Sequence, residues 1–297
     1  MKKLTKADIQ QEVFDLYDDY AHNRIDRRKF IDKLKLYAVG GITVPALLSF
    51  IMPDYETKLQ VNAQDDRLDS SYIEYDSPKG AGTMKALLSK PINTDKKLPG
   101  IIVVHENRGL NPHIEDVSRR AALGGYIAVA PDALTPLGGY PGSDDEGRTM
   151  QRQRDRMEML EDFIAAYRFL KSHDSCTGKI AVVGFCFGGW ISNMMAARIP
   201  ELNAAAPFYG TMPGEEEAVN INCPLLLHFA AFDKRVNEGW PAYAKILQDH
   251  NKEYSAHLYP DVNHGFHNDT TPRYDEEAAT LAWKRTMDFF DKHLKRT

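Results

Sequence analysis

The sequence predicts an α/β protein: a mostly parallel central sheet with helices on both faces, preceded by an N-terminal helical or signal-like extension. Three observations carry this. From Ser71 onward, short apolar runs alternate with amphipathic stretches. Runs such as Gly100-Ile101-Ile102-Val103-Val104-His105 and Lys179-Ile180-Ala181-Val182-Val183 are apolar nearly throughout rather than at every second residue, the pattern of strands buried on both faces. The chain has 297 residues, 43% of them hydrophobic and 27% charged, enough for a large core.

The elements follow in order. Tyr72–Tyr75 and Met84–Leu88, with Gly80 to Gly82 between them, read as a hairpin-like opening pair. Strands are then expected over 100–105, 126–130, 179–183, 204–209, 225–229 and 256–259, and helices over 114–123, 148–171, 190–198, 240–250 and 275–293. In the 148–171 helix Met157, Leu160, Phe163, Ile164, Tyr167 and Leu170 share one face. In a sheet of this kind chemistry sits at the carboxyl ends of the strands, so the residues just after each run matter most.

Composition removes several function classes. The net charge of −5 leaves no domain-scale basic field, so a nucleic-acid partner is not expected. Three cysteines, Cys176, Cys186 and Cys223, cannot form a disulfide framework, and their spacing matches no zinc pattern. No HExxH and no glycine-rich phosphate loop occurs. The sequence thus offers no recognisable zinc or nucleotide-binding motif.

The chain divides near residue 65, giving an extension over 1–65 and a catalytic domain over 66–297. Val13, Leu16, Tyr17 and Tyr20 recur at helical spacing. Arg27-Arg28-Lys29-Phe30-Ile31-Asp32-Lys33 then precedes an uncharged run from Leu36 to Met52. A cation pair before an apolar stretch resembles a twin-arginine export signal, with Val61-Asn62-Ala63 as a cleavage site. The long leader ahead of Arg27 and the acid Asp32 argue against it. The reading taken forward is export to the periplasm or cell envelope. Its alternative is a helix packed on the body of a cytoplasmic enzyme or on a partner chain. Any membrane contact falls on residues 34–52, at the short edge of a bilayer span and weakened as a helix by Gly40, Gly41 and Pro45.

Gly184-Phe185-Cys186-Phe187-Gly188-Gly189 lies directly between a strand and a helix. Glycines allow a sharp turn there, which thrusts the central side chain above the sheet at a helix N-terminus, where an anion is favoured. Cys186 is the candidate nucleophile; Cys176, in a polar turn, and Cys223 are bystanders. Asp233 follows the run Leu225–Phe229, and His264 stands in the loop after the last strand. Nucleophile, acid, base is the chain order of α/β-hydrolases. His264 would take the thiol proton and Asp233 would hold its tautomer, with Asp261 a rival acid in the same loop. The backbone N–H groups of Asn107 and Phe187 are the expected oxyanion donors. Glu106 points into the same region, with Arg108 placed to pair with it as a loop-ordering ion pair.

Glu106, the G-x-C-x-G-G motif at Cys186, Asp233 and His264-Gly265-Phe266 together resemble the dienelactone hydrolase family (carboxymethylenebutenolidase) over roughly residues 70–295. The resemblance implies the α/β-hydrolase fold, no cofactor, and a small-molecule ester or enol-lactone cleaved through an acyl-thioester. It also implies that Glu106 binds the resting thiol. The family grips a substrate carboxylate with arginines; one of those positions is Asn268 here, and the loop Ala133 to Tyr140 contains no arginine. Arg273, Arg148 and Arg108 are the substitutes, and Tyr140, in an acidic glycine-rich segment over 132–148, is a further substrate contact. That segment reads as a lid or pocket wall, or as a disordered surface loop. The competing functions are a non-catalytic binding protein on the same fold and a thioesterase or peptidase.

Overall fold

The computed structural model describes residues 4–92, 94 and 96–295. The extension forms α1 (Gln11–Ala21), α2 (Arg27–Leu34) and α3 (Val44–Ile51), and the body then runs β1 (Leu68–Ser77), β2 (Gly82–Pro91), β3 (Leu98–Val104), α4 (Pro112–Leu123) and β4 (Ile127–Pro131). It continues through α5 (Asp144–Gln151), α6 (Arg156–Ser172), β5 (Cys176–Phe185), α7 (Phe187–Arg198), β6 (Ala204–Phe208), α8 (Glu215–Ala218) and β7 (Leu225–Ala230). The last elements are α9 (Lys234–Asn237), α10 (Trp240–Asp249), β8 (Tyr254–Tyr259) and α11 (Glu276–Phe290).

Among the described residues the strands form one eight-stranded sheet in the order β1-β2-β4-β3-β5-β6-β7-β8. β1 and β2 pair antiparallel, β2 joins β4 antiparallel, and every later pairing is parallel. The apolar runs of the central strands, such as Gly100–Val104 and Ile180–Val183, are buried on both faces. One face packs on α6, α7 and α10 through Leu160, Phe163, Ile191 and Leu247; the other packs on α4 and α11 through Ile114, Val117, Ala282 and Phe290.

Three expectations are corrected. The helix expected over 148–171 is two helices. Asp155 breaks the run because its side chain accepts from the N–H groups of Met157 and Glu158 and starts α6 afresh. Met157 consequently turns to solvent. Cys176 opens β5 and is buried rather than lying in a polar turn. The 132–148 segment is ordered, carrying a 3-10 turn over Thr135–Leu137 and the start of α5.

The extension is laid down on the body. Asp26 caps α2, so Arg27 and Arg28 are the first residues of a folded helix. The uncharged run breaks at Gly40 and Gly41, both with positive φ, and resumes as the eight-residue α3. Among the described residues no helix is long and apolar enough to cross a membrane. α1, α2 and α3 share a small core of Val13, Tyr17, Phe30, Leu34, Leu47 and Ile51. The connector behind them is tied to the body: the Asp54 N–H donates to the Thr270 carbonyl, and the Val61 N–H donates to Asp116.

Candidate active site

β5 ends in Phe185 and α7 begins at Phe187, leaving Cys186 alone in the turn with φ 58° and ψ −109°. A non-glycine residue held there stores about 1–3 kcal/mol of backbone strain. Its surroundings enforce the turn: a Cβ on Gly184 would strike the Gly188 carbonyl, and one on Gly188 would strike the Val104 carbonyl. The Cys186 N–H donates to the Phe208 carbonyl at 3.0 Å, pinning the turn to the next strand. The sulfur thus sits at the positive end of α7, where an anion is stabilised.

Asp233 and His264 reach the same place from the ends of β7 and β8. His264 Nδ1 donates to Asp233 Oδ2 at 2.5 Å. A ring nitrogen of His264 lies within 4.8 Å of Cys186 Sγ, and its buried Nε2 makes no hydrogen bond to any described residue. Asp261, the rival acid, is exposed on a left-handed turn, which leaves Asp233 as the partner. His267 is buried against Phe185, and burial holds it neutral.

The residue missed in the sequence is His22, just past the end of α1. Its Nε2 is 3.2 Å from Cys186 Sγ. Its Nδ1 is 2.9 Å from the Asp18 carbonyl and 3.1 Å from Asp18 Oδ1. His22 and His264 meet edge to face with centroids 4.7 Å apart. Asp18 and His22, four residues apart on a helical stretch, were the available signal. Nothing in the sequence placed that helix over the thiol.

Electrostatics follow from this crowding. Burial pushes the Cys186 thiol up, but the imidazoles of His264 and His22 outweigh it and bring it down to about 5. Burial pushes His264 and His22 down; for His264 the Asp233 carboxylate, and for His22 the sulfur and Asp18, reverse this and hold both raised. Asp233 is desolvated, yet His264 keeps it below its ordinary value.

Glu106 departs from expectation. Its carboxylate is 3.3 Å from Arg108 Nη2 and accepts from Asn268 Nδ2 at 3.2 Å; among the described residues it makes no hydrogen bond to the sulfur. Burial raises its pKa, and Arg108 and then Arg273 lower it to about 2. Arg108 and Tyr140 are likewise taken up internally. Arg108 Nη1 donates to Asp144 Oδ2 at 2.8 Å and the Tyr140 hydroxyl donates to Asp144 Oδ1 at 2.8 Å. This is the loop-ordering ion pair, extended by one carboxylate. Arg148 stacks over Tyr20 at 4.3 Å and pairs with Asp145. The Asn107 side chain donates to the Ala21 carbonyl at the end of α1, at 2.7 Å. Phe187, as the first residue of α7, has an N–H with no acceptor within its own helix.

Arg273 is different. It is 2% exposed and packs between Tyr17 and Gly265. Its Nε, Nη1 and Nη2 make no hydrogen bond to any described residue. It borders a cavity of about 200 Å³ between α1 and the His264 loop, which Asp18, Asp233, Arg235 and His264 also line.

Comparison with known proteins agrees with this architecture. The profile of the dienelactone hydrolase family matches residues 84–294, and a separate profile, described as YqhI-like, matches residues 1–38. A Saccharolobus solfataricus protein provisionally named carboxymethylenebutenolidase is 31% identical, covering 75% of this chain and 98% of its own. The Escherichia coli K12 protein provisionally named hydrolase fragment YghX is 50% identical over 38% of this chain and 97% of its own. A crystal structure from Klebsiella pneumoniae, provisionally titled a dienelactone hydrolase, superposes with a TM-score of 0.66 at 27% identity, covering 75% of this chain and 99% of that one. The sheet order, the strained turn after β5 and these likenesses give an α/β-hydrolase fold, and the chain belongs to the dienelactone hydrolase family, a family of ester- and lactone-bond hydrolases.

Proposed function

We propose that the protein is a cysteine-dependent hydrolase that opens an ester or enol-lactone bond of a small anionic molecule through an acyl-thioester on Cys186. The observation that supports it most is the convergence of one strained, buried thiol with an imidazole already oriented by a carboxylate. The Cys186 thiolate attacks the carbonyl carbon. A carbon–sulfur bond forms, and the carbonyl electron pair moves to oxygen. The N–H groups of Phe187 and Asn107 are the donors proposed for that oxyanion. Collapse expels the alkoxide or enolate, which takes the Nε2 proton of His264. Water then attacks the thioester, returns a proton to His264, and releases the acid and the thiolate. Asp233 keeps its proton-free form and stabilises the His264 cation throughout.

The anionic substrate follows from Arg273. Among the described residues the Arg273 guanidinium makes no hydrogen bond, and Asp18 stands at 3.9 Å as an ion-pair neighbour, so its donors are open to an anion entering the cavity beside it. It supplies the carboxylate grip that Asn268 no longer offers. Arg108 and Tyr140 shape the wall through Asp144 rather than holding substrate. The packed extension belongs to the same reading, since cleavage near Ala63 would remove α1 and every contact it makes with the site.

The test is hydrolysis of p-nitrophenyl acetate. Cys186→Ala abolishes turnover, and Cys186→Ser loses about 10²-fold or more because the site is arranged to ionise a thiol. Substantial activity in Cys186→Ala overturns the covalent route.

A further inference from the structure

We propose that His22, delivered by the N-terminal helix, is a second catalytic imidazole, which pairs with the Cys186 sulfur and keeps it ionised while His264 moves the proton. This rests on the reading that Cys186 is the reacting atom.

The geometry divides the labour. The sulfur is within hydrogen-bond distance of His22 Nε2, at 3.2 Å. Among the described residues His264 Nε2 makes no hydrogen bond, which leaves it for a leaving group or a water. His264 is oriented through Nδ1 by the Asp233 carboxylate, and His22 through Nδ1 by the Asp18 backbone carbonyl at 2.9 Å, with the Asp18 carboxylate 3.1 Å away. Two Asp–His pairs from opposite ends of the chain therefore converge on one sulfur.

Helix ends reinforce the pair. His22 caps the carboxyl end of α1, which favours a cation, while Cys186 lies at the amino end of α7, which favours an anion. Facing groups act on both sides. Asp18 on α1 favours the His22 cation, as does the sulfur. Arg235 in α9, a group that can only donate, has Nη2 at 3.2 Å from His22 Nε2 and 3.3 Å from His264 Nδ1 and opposes both cations. Arg235 is itself faced by Asp18 at 3.9 Å and Asp233 at 4.0 Å. Arg273 lies 3.9 Å from Asp18. Arg156, at the start of α6, favours the thiolate, and Tyr209, after β6, is pushed far up and stays neutral.

The proton balance then closes. His22 remains an imidazolium through both half-reactions and donates its Nε2–H to sulfur. It stabilises the thiolate first as nucleophile and later as leaving group when water resolves the thioester. Only His264 gives up and regains a proton. A glutamate at the sulfur, as the family resemblance implied, would repel a thiolate; His22 attracts it, so the resting thiol here is held ionised.

The experiment titrates the thiol in the full chain and needs no substrate. Thiolate absorbance at 240 nm and the rate of Cys186 alkylation by iodoacetamide are followed against pH, with Cys186→Ala as the blank. The wild-type midpoint is expected near 5. His22→Gln, which keeps a hydrogen bond without the charge, moves it up by about one unit or more and lowers p-nitrophenyl acetate kcat/KM about tenfold or more at pH 6. Asp18→Asn gives a smaller upward move. Unchanged midpoints in both folded variants overturn the proposal, since a merely structural His22 would alter melting and leave the thiol alone. Should the variants fail to fold, histidine NMR of the wild type against Cys186→Ala decides. The His22 pKa falls when the sulfur is removed, and no fall overturns the proposal. A chain that titrates as expected but cleaves no ester separates failure of the hydrolase reading from failure of this one.

Discussion

Arg273 and Arg108 are both buried guanidiniums within a short distance of one another's partners, and they do opposite things. Arg108 spends its charge on Glu106 and Asp144; Arg273 keeps all three nitrogens free of hydrogen bonds to the described residues. The expected outcome is that Arg273→Met costs about 10–100-fold in kcat/KM for an ester carrying a carboxylate and little for p-nitrophenyl acetate, as befits lost charge-assisted bonds. Equal losses on both esters would remove the anion-binding role. Arg108→Met instead removes the guanidinium paired with two buried carboxylates. A stability loss of about 3–5 kcal/mol is expected by denaturant titration. At this scale the sequence was legible where a residue's place depends on local chain order. Cys186, Asp233 and His264 each follow a strand end. The pairing of Glu106 with Arg108 was legible because two residues separate them; its contact with Asn268 was not, because that residue arrives from the far end of the chain.

At the element scale, breaks decide the site more than regular structure does. The Gly-Phe-Cys-Phe-Gly-Gly turn fixes the sulfur because three backbones approach too closely for side chains. Asp155 splits an expected helix in two, which frees α5 to bring Asp144 under Arg108 and Asp145 toward Tyr20. The 3.6-residue period ran through both helices, so pattern alone read them as one. α1 is amphipathic in the ordinary way, and its apolar face was visible as spacing. What its polar end touches was not, because helical periodicity gives a face and no address. The carboxyl end of α1 is capped from the body by Asn107. Asn107→Ala is expected to loosen α1, read as faster hydrogen exchange of its backbone amides with the exchange of β5 unchanged.

For the whole molecule, the extension and body are joined by an exposed stretch around Asn62 to Arg67 but held together elsewhere. Gln11 meets Asn263, Tyr20 donates to Asp145 at 2.7 Å, and Tyr55 donates to Asp144 at 2.9 Å. Limited proteolysis in that stretch is therefore expected to yield two pieces that co-elute on size exclusion. Pieces that separate would show the extension to be a loose attachment. N-terminal sequencing of the active protein is expected to find α1 still present; a mature start near Gln64 with full activity would favour the export signal. The sheet, its order of chemistry and its family were readable because they repeat over many residues. The docking of the first sixty was not, because it rests on a few polar contacts with residues from about 55 to 250 positions away. Its consequence reaches beyond catalysis. A thiolate open to solvent is quickly lost to peroxide as sulfenic and then sulfinic acid. Here Cys186 retains only 8% exposure, with His22 at the end of α1 set against its sulfur, so the same segment shelters it from oxidants, and a chain stripped of that cover would leave the sulfur open to chemical ageing.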